Sequence, residues 1–474
     1  MRHHSFRHRL RRPSRVCSLL TCTALFAIVG AITLRAAVSV SPDIQYYFGT
    51  GPGEGLSVSP NGKFIMVSSP ATDAAGLLFT SSVPHLVHSP LAREPFNLVH
   101  QIDLHALGYG ESTDVGILPS GLFGLTVVRA APGAPFNGVL AIRGNEIRQS
   151  IPIPQAPDGM KISPDGKYAV VAVEKGGEIR IYDLEGGAGQ IQLVAIVSKA
   201  ALQAHFVGVP NPVNALEPEA VGISYDSSFA LVTLQDCSSV AGLSLDAVTL
   251  GQQQGLAPEV IGAQALKKVV HLPYGFVGNN GALFGVEPDG VGISPDGSFA
   301  VLAHEANNRA KHLQGISVLD LRNGIENMTA KSYSIFSLDP SLLANTGLAA
   351  APMVAPGDPY PTAANRLPRL DPASAEIVHR GGQTVACVVI ERYDASSAQT
   401  SASSNNENRG SLLLLDAGQA LDGVFSKLER VPLGVSGARL EVIDSAQGGR
   451  WIFVSISNGG ADRGTLARVE LLTQ

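Results

Sequence analysis

Apolar and polar positions alternate along most of the chain in short stretches, and each stretch stops at Gly, Pro, Asn or Asp. Alternation at period two between turn residues predicts β-strands. The strands recur as one phrase. Its clearest copies are Pro157–Glu174 and Pro288–Glu305; Pro218–Gln235 is close to them, and Gly53–Ser69 is a fourth. Thr113–Val128, Ala373–Glu391 and Leu440–Ser457 keep the same beat in degenerate form. In each copy a short Val-x-Ile-Ser strand meets a turn of the Pro-Asp-Gly kind, where Pro presets φ and Gly accepts a positive one. A second strand rich in Val, Ala, Phe and Tyr leaves the turn. A third follows at Glu178–Leu184, Gly315–Leu321 and Ser411–Asp416, and a less regular fourth at Ile191–Ile196.

Four antiparallel strands repeated radially make a propeller blade. The expectation is therefore an all-β, seven-bladed β-propeller of four-stranded antiparallel blades, filling 36–474 as a single domain. The surplus length per blade falls in insertions at 70–98, 250–285, 325–370 and 395–410. Phe64, Tyr168, Phe229, Phe299 and Trp451 open second strands and are expected to pack between blades. The seventh unit has only three strands before Gln474, near 439–444, 451–457 and 464–472. An open sheet edge invites pairing with other chains. Asp43–Phe48 is the spare strand expected to pair with the last blade and close the ring.

The first 35 residues differ from the rest. They hold seven arginines and no acid, and Val16–Leu34 is uncharged and mostly apolar. This is the pattern of a signal peptide or an N-terminal membrane anchor, and it predicts a secreted, periplasmic or cell-surface body. Without these residues the chain carries 27 basic against 40 acidic side chains, a net of −13 rather than −6. That balance speaks against nucleic-acid binding, which rests on cationic neutralisation of phosphates. Membrane contact is expected only through the leader, and the body as a monomer. With 51 Gly, 30 Pro and only 16% charged residues, coiled-coil and disordered classes are excluded. Cys237 and Cys387, each within a stretch that reads as a strand, are expected to be buried small hydrophobes.

The phrase Gly-Val-x-Ile-Ser-Pro-Asp-Gly with a later Val-x-Asp-Leu resembles the YVTN-type repeats of secreted and lactonase-like seven-bladed propellers. Glu217–Ser224 with Leu231–Asp236 is similar to the propeller domain of surface-associated bacterial proteins. The resemblance implies the fold. For function it implies a group that includes lactonases, phytase-like esterases and members that only bind.

Candidate chemistry lies where the phrase turns polar. Glu54, Asp158, Glu219 and Asp289 open inner strands at matching positions, with Asp114 and Glu441 close by. Radial repetition brings them to one channel mouth, where they would bind a ligand or recruit a divalent cation such as calcium; the same acids would also serve to cap neighbouring backbone N–H groups. A second ring closes the second strands: Glu174, Gln235, Asp236, His304, Glu305, Glu391 and Arg392. Glu174, His304, Glu305 and Glu391 are its candidates for acid–base work, although His304 and Glu305 are adjacent on a strand and face opposite sides. Gln235, Asp236 and Arg392 are candidate ligand contacts. No Gly-x-Ser-x-Gly elbow, His-Glu-x-x-His helix or phosphate loop is present. Two readings follow: a non-catalytic binder of a small molecule or protein at the mouth, and a metal-assisted lactonase- or phytase/esterase-like hydrolase using the carboxylates.

Overall fold

The computed structural model describes residues 38–40, 45–47, 55–59, 64–68, 70–72, 79–82, 85–88, 97–121, 123–206, 216–272, 276–277, 283–306, 313–343, 369–394, 409–433, 437–443, 451–456 and 466–473. The leader and the loop at 395–408 lie outside them. Six four-stranded antiparallel sheets and a larger seventh follow one another in chain order, with two small hairpins besides. The protein is an all-β propeller. Inner strands open the blades at Leu56–Val58, Glu111–Ile117, Met160–Ile162, Pro218–Ile223, Val286–Ile293, Arg369–Arg380 and Gly437–Ile443 (blades 1 to 7). All seven repeat copies supply the first two strands of a blade.

Alternation explains the packing. In the second strand of blade 3, Tyr168, Val170 and Ala172 enter a core shared with blade 4, whereas Ala169, Val171 and Val173 enter one shared with blade 2. Seven such cores lie between successive blades. The last joins blade 7 to blade 1 through Trp451, Phe453 and Leu466 against Leu56, Ile65 and Val67. At some glycines the neighbouring inner strand approaches until no side chain fits. A Cβ on Gly159 would lie 1.9 Å from the Glu219 carbonyl oxygen, and one on Gly292 2.6 Å from Glu376 Cα.

The Ser-Pro-Asp-Gly phrase persists because it builds its own turn. In blade 5 the Ser294 hydroxyl donates to Asp296 Oδ1 (2.7 Å) and accepts the Phe299 N–H (3.1 Å). Blade 3 repeats this with Ser163, Asp165 and Tyr168, and blade 4 with Ser224, Asp226 and Phe229. Burial alone would raise the Asp296 pKa, but hydrogen bonds from Ser294 and Ser298 hold it below the usual range. Gly166 and Gly297 take φ of 76° and 70° there; Ser227 holds the equivalent left-handed position in blade 4 at 60°.

Insertions modify the blades without breaking them. The one in blade 4 forms helices Leu245–Gln253 and Pro258–Ala265 before its fourth strand, Leu266–His271. Ser244 caps the first by accepting the Ala247 N–H. The stretch expected as an insertion in blade 1 holds that blade's third strand, His85–His88, and the start of its fourth, Asn97–Gln101. In blade 7, Leu466–Thr473 pairs on its outer side with Val38–Val40 (Val38 opposite Thr473) and with Gln45–Tyr47 (Gln45 opposite Arg468). The Val38 and Val40 N–H groups also donate to Gln383 Oε1 and Glu429 Oε2 of blade 6. Cys237 and Cys387 are buried and free. Cys387 is in a strand, but Cys237 is in a 3₁₀ turn, Gln235–Cys237; the polar Gln-Asp pair interrupts the strand before it.

The inner-strand contacts yield a direct prediction. Gly292→Ala should destabilise the protein by about 1–3 kcal/mol, the usual range for overpacking. Gly189→Ala, where a Cβ meets nothing within 4 Å, should leave the urea midpoint unchanged. Equal midpoints for the two variants would contradict the packing account.

Candidate functional site

Antiparallel pairing puts the start of each inner strand beside the end of the second strand, so both predicted rings fall at one mouth. The ladder is irregular there. Register shifts between Pro218 and Val221, and between Pro288 and Gly290, leave Glu219 and Asp289 on β-bulges. Bulges re-aim side chains and are common beside functional sites.

Arg129, the last residue of the second strand of blade 2 (Gly124–Arg129), organises the cluster. Its Nη2 donates to Asp158 Oδ1 at 2.5 Å and to Glu174 Oε2 at 2.8 Å, so one guanidinium ties a member of each predicted ring. Lys175 binds Glu174 and also Glu217 Oε1, at 3.2 Å. Gln235 Nε2 donates to Asp289 Oδ1 at 2.6 Å, linking blade 4 to blade 5. Partial desolvation, and then the Glu217 carboxylate beside it, push the Asp236 pKa up to about 6. Burial raises the Glu111 pKa too, against the pull of Arg129 opposite it in the ladder.

The other predicted residues are placed differently. His304 is fully buried; alternation puts its ring on the Ala300 and Leu302 side, in the core shared with blade 4, and burial lowers its pKa to about 4. Glu305 faces away from it and is partly exposed, opposite Glu287 in the ladder. Glu391 and Arg392 lie on the second strand of blade 6 (Gln383–Asp394), with side chains outside the described set. Glu54 is outside the described residues. Among those residues, no group of three His, Cys, Asp or Glu is placed to hold a metal ion. Asp158 and Asp289 are engaged instead by Arg129 and Gln235.

Between the inner strands next to this mouth lies a small cavity of about 40 Å³. Leu56, Met160, Val221 and Val291 line it together with Asp114, Lys161 and Glu376, and most of its exposed surface is polar. Lys161 Nζ lies 3.3 Å from Glu376 Oε1. Asp114 accepts the Val115 and Met160 N–H groups, both at 2.8 Å. Sequence reading passed over Arg129, Lys161 and Glu376. The signal for the last two was present: each replaces the Gly found at the x of Val-x-Ile in Gly222 and Gly292.

No protein-family model matches the chain, and no curated protein does. Solved structures do. Kuenenia stuttgartiensis hydrazine synthase superposes with a TM-score of 0.51 at 12% identity, covering 91% of this chain and 98% of that one. The Myceliophteria thermophila Cps50 (Swd1) beta-propeller domain gives 0.49 at 9% identity, covering 91% and 99%. At such identities the likeness shows the fold alone. Among the described residues, no helix is long and apolar enough to cross a membrane.

The crowding of Asp236 has a definite sign. A carboxyl whose folded pKa lies above its unfolded value stabilises the fold at low pH, and that contribution is lost as pH rises through the folded pKa. Stability should therefore decline between about pH 4 and pH 6 on account of this group. Asp236→Asn should flatten the decline. An NMR titration of the Asp236 carboxyl with a midpoint near 4 would refute it.

Proposed function

We propose that this protein is an exported propeller scaffold that binds, without turnover, a ligand or protein partner bearing a basic group at the mouth shared by blades 2 to 5. One observation carries the reading: Asp158, Glu174, Gln235, Asp236 and Asp289 meet at that mouth, and Arg129, Lys175 and Gln235 tie them across blade boundaries. Carboxylates outnumber cations there, which favours a partner of opposite charge. Two of the three described acid–base candidates support binding over catalysis. Glu174 is held by two cations, and His304 lies in a core. The basic, apolar leader and the acidic body support export, and the repeats support a propeller of the YVTN type.

The same reading includes ring closure by the N-terminal strands. Their pairing with Leu466–Thr473 supplies the fourth strand of blade 7 and covers an edge that would otherwise be open.

Two experiments test this. The amine probe isoamylamine, titrated into the full chain, should bind in low salt, and amide replacement of Asp158, Glu174 and Asp289 should abolish binding. Asn at Asp296, on the opposite mouth, should not matter. Binding that survives the mouth variant would end the assignment. For closure, deletion of 36–50 should lower the melting temperature and promote association; an unchanged monomer with unchanged melting would overturn it.

A further inference from the structure

The chain enters the ring at a fixed place. Val38–Val40 runs antiparallel to Leu466–Thr473 with Val38 opposite Thr473, and Gln45 lies further along, opposite Arg468. The Val38 N–H donates to Gln383, which sits across the Gly381-Gly382 turn from Arg380. Thr473 and that turn both belong to the mouth where the Ser-Asp turns close, so the chain comes in at the turn mouth and not at the acidic one. Upstream of Val38 stand Arg35, Ala36 and Ala37, and before them the 19-residue uncharged run Val16–Leu34. A run of that length suffices to span a bilayer as a helix and exceeds the roughly 7–15 residues of a usual signal-peptide core. Six arginines precede it and one follows, the bias that leaves the following body on the far side. The four steps from Leu34 to Val38 reach at most about 14 Å.

The same face carries exposed apolar groups. Among the described residues, six large apolar side chains are at least a third exposed. Four lie at the turn mouth. Tyr225 is in the Ser224–Ser228 turn, and Leu250 is on the helix Leu245–Gln253. Val424 follows the end of the third strand of blade 6 (Arg409–Gln419), and Leu472 lies opposite Ser39. The helix is held there by Gln252, whose side-chain amide donates to Asp183, the last residue of the third strand of blade 3, at 2.7 Å. Of the other two, Val260 is on the helix Pro258–Ala265, and Leu107 is at the acidic mouth, just before Glu111. A lipid interface covers apolar groups that water leaves bare. The cross-blade carboxylates Asp158, Glu174 and Asp236 lie at the opposite mouth, where contact with lipid would desolvate them.

We propose that Val16–Leu34 stays in the membrane and holds the turn mouth against the lipid surface, so that the acidic mouth faces away, open to a partner in solution. This rests on the reading that the body is exported, and it adds the retained tether and the orientation. The full chain carrying Cys17→Ala and Cys22→Ala, its other cysteines being buried, is reconstituted in phosphatidylcholine vesicles with a nitroxide on the lipid headgroup. A fluorophore is attached singly through Tyr225→Cys, Val424→Cys or Leu107→Cys, all at exposed positions. A six-residue strand sets the mouths about 20 Å apart, so quenching at the first two sites should exceed that at the third by at least about threefold. Two turn-mouth sites guard against one misfolded variant. Equal quenching at all three, or stronger quenching at the Leu107 site, overturns the orientation. In spheroplasts of the producing cells, a membrane-impermeant maleimide should reach Leu107→Cys, and the chain should stay with the membranes after an alkaline wash with its leader attached. If the maleimide reacts only after lysis, the export reading fails. If it reacts but the body is released without its leader, export stands and the tether is overturned.

Discussion

Each sheet in this protein is apolar on both faces, and everything else follows from having to cover both. A sheet with one apolar face is satisfied by a single neighbour. Here the second strand of blade 3 sends alternate side chains into two different cores, so every blade needs a blade before and after it. The series ends without exposed core only when the last sheet meets the first, as Trp451 and Phe453 meet Ile65 and Val67. Hydrophobic burial is non-directional, so the geometry is set by how closely the inner strands approach. Gly159 and Gly292 set that distance, since a methyl group at either would collide with the adjoining strand.

The site is a by-product of this ring. Turn chemistry is spent on one mouth, where serine and aspartate side chains close on their own backbone. The other mouth collects bulges, strand ends and side chains from neighbouring blades. Carboxylates accumulate there because no local turn consumes them. Their mutual repulsion is met by Arg129 and Lys175, but at Asp236 burial and then the Glu217 carboxylate outweigh the pull of Lys175 and leave the pKa raised. On the proposed reading, closeness without full neutralisation is what would make this mouth receptive to positive charge.

Much of the architecture was legible because the turns are local. Ser294 and Asp296 are two residues apart, and their hydrogen bond can be read from a tetrapeptide. Strand order and the acid positions follow from repetition alone. The pairings across blades are of another kind. Arg129 lies one residue past a degenerate copy, and its partners lie 29 and 45 residues further on in the next blade. Lys161 and Glu376 are 215 residues apart, and only the curvature of the whole ring brings them together. His304 shows a third limit. Alternation says that it and Glu305 face opposite ways, but which way is set by the neighbouring blade. Cys237 fell outside a strand for a local reason, the turn formed by Gln235 and Asp236 ahead of it.

The strand at Val38–Val40 bonds to blade 6 and blade 7 residues as many as 435 positions away. During synthesis it leaves the ribosome long before those partners exist, while blades 2 to 6 can each build their sheets from sequence-local hairpins. Loop closure over such a span is slow relative to hairpin formation. On the reading that these strands close the ring, the seam is therefore expected to be the last part of the molecule to assemble. Until it does, the growing chain carries an unpaired segment beside an unfinished arc, a state in which chaperone engagement or exchange with a neighbouring copy competes with completion of the circle.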